Sequence, residues 1–216
     1  EPEWILGPCT ISRSPVVHPG DIQQVIGVKP RDDMFCAFSH IRNAVVLPSA
    51  GERSLASKLG GGDLDGDIYD VVPNPDLMPP VIDEAASYES AGTYQALDED
   101  GDPRECDVND IADFIVEYIN SDVLGLLSDR LLVIAGAPNK GIYDKDCKQL
   151  AALCAQVGKA VDYPKQGVAV YINDNKLPRT LIRCKPDWHA AEVVDPRSTD
   201  YYESTRALGY MFRSIK

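Results

Sequence analysis

At 216 residues and 44% hydrophobic, the chain can bury a core as one domain, or as one domain with a helical appendage. Its formal net charge of −13 argues against a free nucleic-acid binder, because affinity for phosphate backbones comes largely from Lys and Arg. No apolar run reaches membrane-spanning length and no secretory leader is visible, so no membrane partner is expected.

From Trp4 to Val72 the signals are short β-like runs: Cys9–Arg13, Ile22–Val28, Ala44–Leu47 and Ile68–Val72. Pro and Gly punctuate them, as the tight crossings of a small barrel need. Pro73, Pro75, Pro79 and Pro80 mark a boundary, and helical periodicity takes over beyond it. Val108, Ile111, Ile115 and Ile119 recur at helical spacing behind Asp107, a residue suited to an N-cap. A second apolar stretch spans Val123–Ala137 and stops before Pro138. Leu150, Leu153, Cys154, Val157 and Val161 make a third stripe, and Ser198–Phe212 is expected to form a fourth, shorter helix. These stripes read as core faces, not cofactor boxes. The expected fold class is mixed α/β, with a β segment followed by a mainly helical region. Cys9, Cys36, Cys106, Cys147, Cys154 and Cys184 include no C-x-x-C pair, and none of the three histidines has zinc-like spacing from a cysteine pair. Reduced, packed thiols in an intracellular protein of cytoplasm or nucleus are therefore expected, rather than a zinc site or a disulfide framework.

One stretch carries chemistry. Gly60-Gly61-Gly62-Asp63-Leu64-Asp65-Gly66-Asp67 sets three carboxylates at alternate positions behind a glycine run. Glycines let a loop fold tightly around whatever the acids hold, and crowded carboxylates repel unless a cation removes the penalty. Oxygen ligands suit Mg²⁺, and acids that share metals with phosphates point to phosphoryl transfer. A solvated acidic turn is the competing reading of D-x-D-G-D taken alone. The chain holds its own comparison: Asp98-Glu99-Asp100-Gly101-Asp102 repeats the pattern, without a glycine run before it or a strand after it, and reads as an exposed turn. An EF-hand fails on spacing, because the sixth and twelfth places counted from Asp63 hold Ile68 and Asn74 rather than Gly and Glu. A dehalogenase-like aspartyl nucleophile fails too, since glycines and not a hydrophobic strand precede Asp63.

Pro15-Val16-Val17-His18-Pro19-Gly20-Asp21-Ile22, then Asn43-Ala44-Val45-Val46-Leu47-Pro48 with Gly51, then Gly61 to Tyr69 occur in one order. The series resembles the catalytic region of the cellular RNA-dependent RNA polymerases of RNA silencing, in particular the fungal quelling type. Asp122-Val123-Leu124-Gly125, Cys147 to Leu153, and Ala160-Val161-Asp162-Tyr163-Pro164-Lys165-Gln166-Gly167 are similar to further elements of that family. Together the matches run from Pro8 to Trp188. The resemblance implies that residues 1–78 form a double-psi β-barrel, the aspartate-bearing one of two facing barrels. Residues 79–216 would then be a mainly helical neck- or head-like region that returns to the barrel near 160–185. It implies Asp63, Asp65 and Asp67 as catalytic Mg²⁺ ligands, with Mn²⁺ able to substitute, and Gly61, Gly62 and Gly66 as the loop backbone. The implied activity is nucleotidyl transfer from a nucleoside triphosphate to an RNA 3′-hydroxyl, making double-stranded RNA for silencing. The implied partners are RNA template, nucleoside triphosphates and the rest of the polymerase chain with its lysine-bearing barrel; homodimerisation of the full-length enzyme is left open. Members of the family are several times longer, and a chain starting at Glu1 reads as a portion of one, so it is not expected to polymerise alone. The acidic balance is reconciled if the site itself must be acidic while the other parts carry the positive channel.

Four other residues are candidates for nucleotide or RNA contact. Lys58 lies five residues before Asp63 and would meet a triphosphate if the loop folds back; a solvated lysine is the alternative. Arg13 precedes the His18-Pro19-Gly20-Asp21 segment and could clamp a phosphate bidentately or form an ion pair. His18 contacts RNA or shapes the turn with Gly20, and the turn is favoured; Asp21 reads as a capping acid. Lys165 is a candidate for nucleotide or template phosphate. Two other classes compete with the polymerase: a non-catalytic scaffold that kept the fold, and a metal-dependent phosphohydrolase. The scaffold is weakened by the intact triad, the hydrolase by the lack of a histidine near it as general base. A viral or phage DNA-dependent RNA polymerase relative is disfavoured by the His18–Asp21 and Ala160–Gly167 elements.

Overall fold

The computed structural model describes residues 4–31, 35–88, 95–121, 124–158, 184–189 and 201–215. The chain divides into two compact units, Glu1–Glu89 and Ser90–Lys216.

In the first unit, β1 (Gly7–Arg13) is the middle strand of an antiparallel sheet, between β2 (Gln23–Gly27) and β3 (Tyr69–Val72). Cys9 faces Val25, Ile11 faces Gln23 and Val71, and Arg13 faces Tyr69. A middle strand has its backbone groups paired on both edges, and Cys9, Thr10 and Ile11 are all buried there. The β1–β2 connection contains a 3₁₀ turn, Pro19–Asp21, begun by a proline whose fixed φ suits a first helical position. A one-turn helix, α1 (Leu55–Lys58), starts at Ser54, whose Oγ accepts from the Ser57 amide at 3.2 Å. Ala44–Leu47, expected as a strand, is irregular. A strand needs a ladder partner, and the described residues supply none there; Val45 and Val46 stand exposed, and Pro48 brings no N–H.

The segment 82–88, which the proline boundary assigned to the helical region, packs with the first unit. Arg53 donates to the carbonyls of Ala85 (3.3 Å) and Ala86 (2.6 Å) as well as to Ser57 O (2.6 Å). A Cβ on Gly20 would lie 2.0 Å from Glu84 O, so only glycine lets the segment approach the turn so closely.

The second unit is mainly helical: α2 (Val108–Ser121), α3 (Leu124–Gly136), α4 (Lys145–Gly158) and α5 (Ala207–Ile215), with a short parallel pair, β4 (Lys185–Pro186) and β5 (Tyr201–Tyr202). Its core is built from Leu127, Leu131 and Ile134 of α3 with Cys147, Leu150 and Ala151 of α4. Lys140 ties the intervening loop to Asp144 (3.0 Å) and Asp146 (2.7 Å). Asp107 caps α2: its Oδ1 accepts from the amides of Asn109 (2.7 Å) and Asp110 (3.1 Å), while its own amide donates to Asp110 (2.7 Å). Two expectations need correction. The α2 stripe is exposed rather than a core face, with Val108, Ile111, Ile115 and Ile119 at 49–79% exposure, because no described element of this unit covers it. The helix expected over Ser198–Phe212 starts only at Ala207 and runs to Ile215, since Tyr201–Tyr202 pairs as a strand with Lys185–Pro186. The described content is thus mixed α/β, in small sheets rather than a closed barrel.

Cys9, Cys36, Cys106 and Cys147 are free thiols, and Cys147 is fully buried, which pushes its thiol up. No helix among the described residues is long and apolar enough to cross a membrane.

Candidate metal centre

The acidic loop is built from its first glycines outward. α1 stops where Gly60 (φ +64°) and Gly61 (φ +76°) turn left-handed, which L side chains disfavour. The reversal lets the Gly61 amide reach Ser57 O at 3.3 Å and the Gly62 amide reach Ala56 O at 3.1 Å. Gly62 is buried, and a Cβ there would lie 3.0 Å from both Ala56 O and Asp67 Oδ2. Gly66 (φ +125°) makes the next reversal, and Leu64 (φ +70°) takes a left-handed conformation that costs a β-carbon-bearing residue roughly 1–2 kcal/mol.

The three carboxylates have different surroundings. Asp67 is the anchor, its side chain 4% exposed. Its Oδ2 accepts from the amides of Asp63 (3.2 Å) and Leu64 (3.1 Å) and from Tyr69 Oη (3.4 Å). Its Oδ1 is paired with Arg13 Nε. Burial first, and then the Asp67 charge, hold the Tyr69 phenol above its ordinary range, so it stays protonated and donates. Asp63 and Asp65 are exposed. One oxygen from each of the three acids lies within 4.8 Å of the others. Three hard oxygen donors, two of them open to solvent, fit a hard divalent cation such as Mg²⁺, which keeps waters and shares substrate phosphates.

The other sequence candidates are placed as follows. Arg13 comes to the loop from the end of β1; besides pairing with Asp67, its Nη1 donates to Gly60 O at 3.0 Å, joining the start of the loop to its end. His18 caps the 3₁₀ turn, its Nδ1 accepting from the Gly20 amide at 3.0 Å while its own amide donates to Asp21 at 3.0 Å. Lys58 is the last residue of α1, next to the glycine run. Lys165 lies outside the described residues, as do Asp122–Val123 and the 160–167 element. The second D-x-D-G-D closes on itself as a hairpin turn: Asp98 Oδ1 accepts from the amides of Asp100 (3.0 Å) and Asp102 (2.9 Å), and Leu97 bridges to Pro103. Sequence reasoning missed Tyr69 and Tyr88. Tyr69 had a local signal, two residues past Asp67 on the strand; Tyr88 had none, since its partner Asp21 lies 67 residues away.

A family model described as "RNA dependent RNA polymerase" matches residues 1–215. The chain is 31% identical over 212 residues to RNA-dependent RNA polymerase 1 of Schizosaccharomyces pombe, covering 97% of this chain and 16% of that protein. It is 30% identical over 213 residues to RNA-dependent RNA polymerase 1 of Arabidopsis thaliana, covering 98% and 17%. Among solved structures it is similar to RNA-dependent RNA polymerase QDE-1 from Thielavia terrestris, with a TM-score of 0.45 and 22% identity, covering 79% of this chain and 19% of that one. The chain therefore spans less than a fifth of the length of these relatives. With a family match over nearly its whole length, the chain belongs to the RNA-dependent RNA polymerase family.

Proposed function

We propose that this chain is the acid-bearing catalytic portion of an RNA-directed RNA polymerase. The observation that carries the reading is the convergence of Asp63, Asp65 and Asp67, oxygen to oxygen within 4.8 Å, in a chain of this family. These three acids would hold Mg²⁺, with Mn²⁺ able to substitute, and the metal would supply positive charge to neutralise the phosphates of the nucleotide. Asp63 and Asp65 offer the solvent-facing oxygens, and Asp67 holds the loop to β1 through Arg13. In the reaction an RNA 3′-hydroxyl attacks the α-phosphate of the incoming nucleotide and pyrophosphate leaves. Positioning and charge neutralisation provide most of the acceleration.

The three-stranded sheet is read as part of a double-psi β-barrel over residues 1–78, and residues 79–216 as a mainly helical region, apart from the segment 82–88 that packs with the first unit. The rest of the polymerase contributes a lysine-bearing barrel, and the template is RNA. The product is double-stranded RNA for silencing, made in the cytoplasm or nucleus. The deciding experiment is RNA synthesis on a single-stranded template by the full-length enzyme with Mg²⁺. Asp65→Ala should lower it about 100-fold or more, on the scale of losing one preorganised charge-stabilising group. Undiminished product from Asp65→Ala would move the catalytic site elsewhere, and template-independent phosphate release would favour a hydrolase.

A further inference from the structure

Asp21 and Tyr88 lie outside the acidic loop, yet both are built into its support. Asp21 is 0% exposed, and its Oδ2 accepts from the His18 amide at 3.0 Å and from Tyr88 Oη at 2.7 Å. The other side of Tyr88 lies on the loop: a Cβ on Gly61 would sit 2.7 Å from Tyr88 Cβ and 3.0 Å from its Cγ. The residues leading to Tyr88 are fixed in turn by Arg53, through Ala85 and Ala86, and by the close approach of Glu84 to Gly20. Gly61 is the left-handed residue from which the chain passes through Gly62 into Asp63, and Gly62 touches the Asp67 carboxylate.

We propose that Tyr88 and Asp21 are positioning residues for the metal-binding loop. The Tyr88–Asp21 hydrogen bond holds the tyrosine against Gly61, and the tyrosine keeps the Gly61–Gly62 turn where Asp63, Asp65 and Asp67 converge. Their role is exerted through Gly61 and requires no contact with metal or nucleotide. A fixed support of this kind is what a metal site needs to hold its ligands in a productive geometry. The proposal rests on the polymerase reading only in taking the three acids as the metal site.

The test is Mn²⁺ titration of the full-length polymerase, with free Mn²⁺ followed by its paramagnetic resonance signal and the Asp65-dependent site defined by subtracting Asp65→Ala. Tyr88→Phe removes the hydrogen bond and keeps the ring; it should weaken that site about 3- to 10-fold, the scale of one net hydrogen bond. Asp21→Asn keeps an acceptor oxygen and should stay within about twofold of wild type, since the same bond can form. Tyr88→Phe should cost nothing more in an Asp21→Ala background, because the two act through one contact. Ile11→Val, a buried change in the same unit, controls for general destabilisation: it should lower the melting temperature and leave Mn²⁺ affinity unchanged. Wild-type affinity in Tyr88→Phe, or an equal loss in Ile11→Val, overturns the positioning role. Mn²⁺ binding that Asp65→Ala does not alter would overturn the metal site itself, and the positioning role with it.

Discussion

Among the three acids, the Asp67 side chain is buried while Asp63 and Asp65 are exposed, although the sequence spaces them evenly. The difference comes from Arg13, fifty-four residues away, which pairs with Asp67 and also holds Gly60 O. Two roles for Arg13 follow from chemistry: a phosphate clamp, or an anchor of the loop. Its hydrogen bonds favour the anchor, and kinetics separate the two. Arg13→Gln in the full-length polymerase should lower kcat about 10-fold or more and leave KM for the nucleotide nearly unchanged, because an interaction that shapes the site is lost in every state. A clamp would instead raise KM. Arg13→Lys keeps charge beside Asp67 but cannot reproduce the forked contact, so it should recover only part of the loss. The triad and its glycines were legible in the sequence because carboxylate spacing and positive-φ glycines are local properties. The capping role of Asp21 was legible too, because His18 lies three residues away, and an ion pair was one of the two readings of Arg13. That Arg13 ties the loop and that Tyr88 reaches Asp21 was not, since those partners lie forty-seven or more residues away.

At the scale of elements, the two D-x-D-G-D segments show how context decides what the same letters do. In the hairpin, Asp98 spends its Oδ1 on the Asp100 and Asp102 amides, and the turn is satisfied by its own residues. In the loop behind α1, the last acid takes the amides, and Arg13 and Tyr69 come from β1 and β3 to hold it. Asp102→Asn should therefore leave RNA synthesis by the full-length enzyme within about twofold of wild type, since exposed substitutions away from a site change little. Asp65→Asn should abolish most of it; equal losses from the two variants would contradict the assignment of the site. The start of α2 carries a prediction in pH. Arg104 donates to both oxygens of Asp110, at 2.7 and 2.6 Å, and these bonds, followed by the Asp107 amide, hold the Asp110 carboxyl below the usual aspartate range. A carboxyl depressed in the folded state adds stability that is present above its unfolded value and lost as pH falls through the lowered one. The cap of α2 should thus loosen only below about pH 4. Carbon-13 NMR of the Asp110 carboxyl should give a midpoint below that of a free aspartate, and Arg104→Ala should raise it. Helix α2 and its cap were readable from periodicity and Asp107. The Ala44–Leu47 run and the start of α5 were misread, because strand formation depends on a partner that a local pattern does not contain.

The chain is two compact units, acidic overall, and less than a fifth of the length of the fission-yeast and Arabidopsis polymerases compared with it. A net charge of −13 gives RNA little reason to bind, since binding is driven by release of counterions as Lys and Arg neutralise phosphates. Polymerase chemistry, in contrast, needs both the acids and a positively charged surface to carry template and triphosphate. These demands are met together only if the acid-bearing portion and the cation-bearing portion are different parts of one enzyme. The prediction at this scale has two arms. This chain by itself should bind single-stranded RNA weakly, with no saturation below about 100 μM at physiological salt, the weak end of non-specific nucleic-acid binding. It should also make no RNA when given template, nucleotides and Mg²⁺. The full-length enzyme should bind RNA with a clear inverse dependence on salt and synthesise product, losing synthesis but keeping RNA binding in Asp65→Ala. Removing one carboxylate from the loop leaves the cationic surface untouched, so binding and chemistry should separate in that variant. If RNA affinity fell together with synthesis, the acidic loop would be holding the structure of the RNA channel rather than its metal, and the separation of roles between the two portions would be wrong.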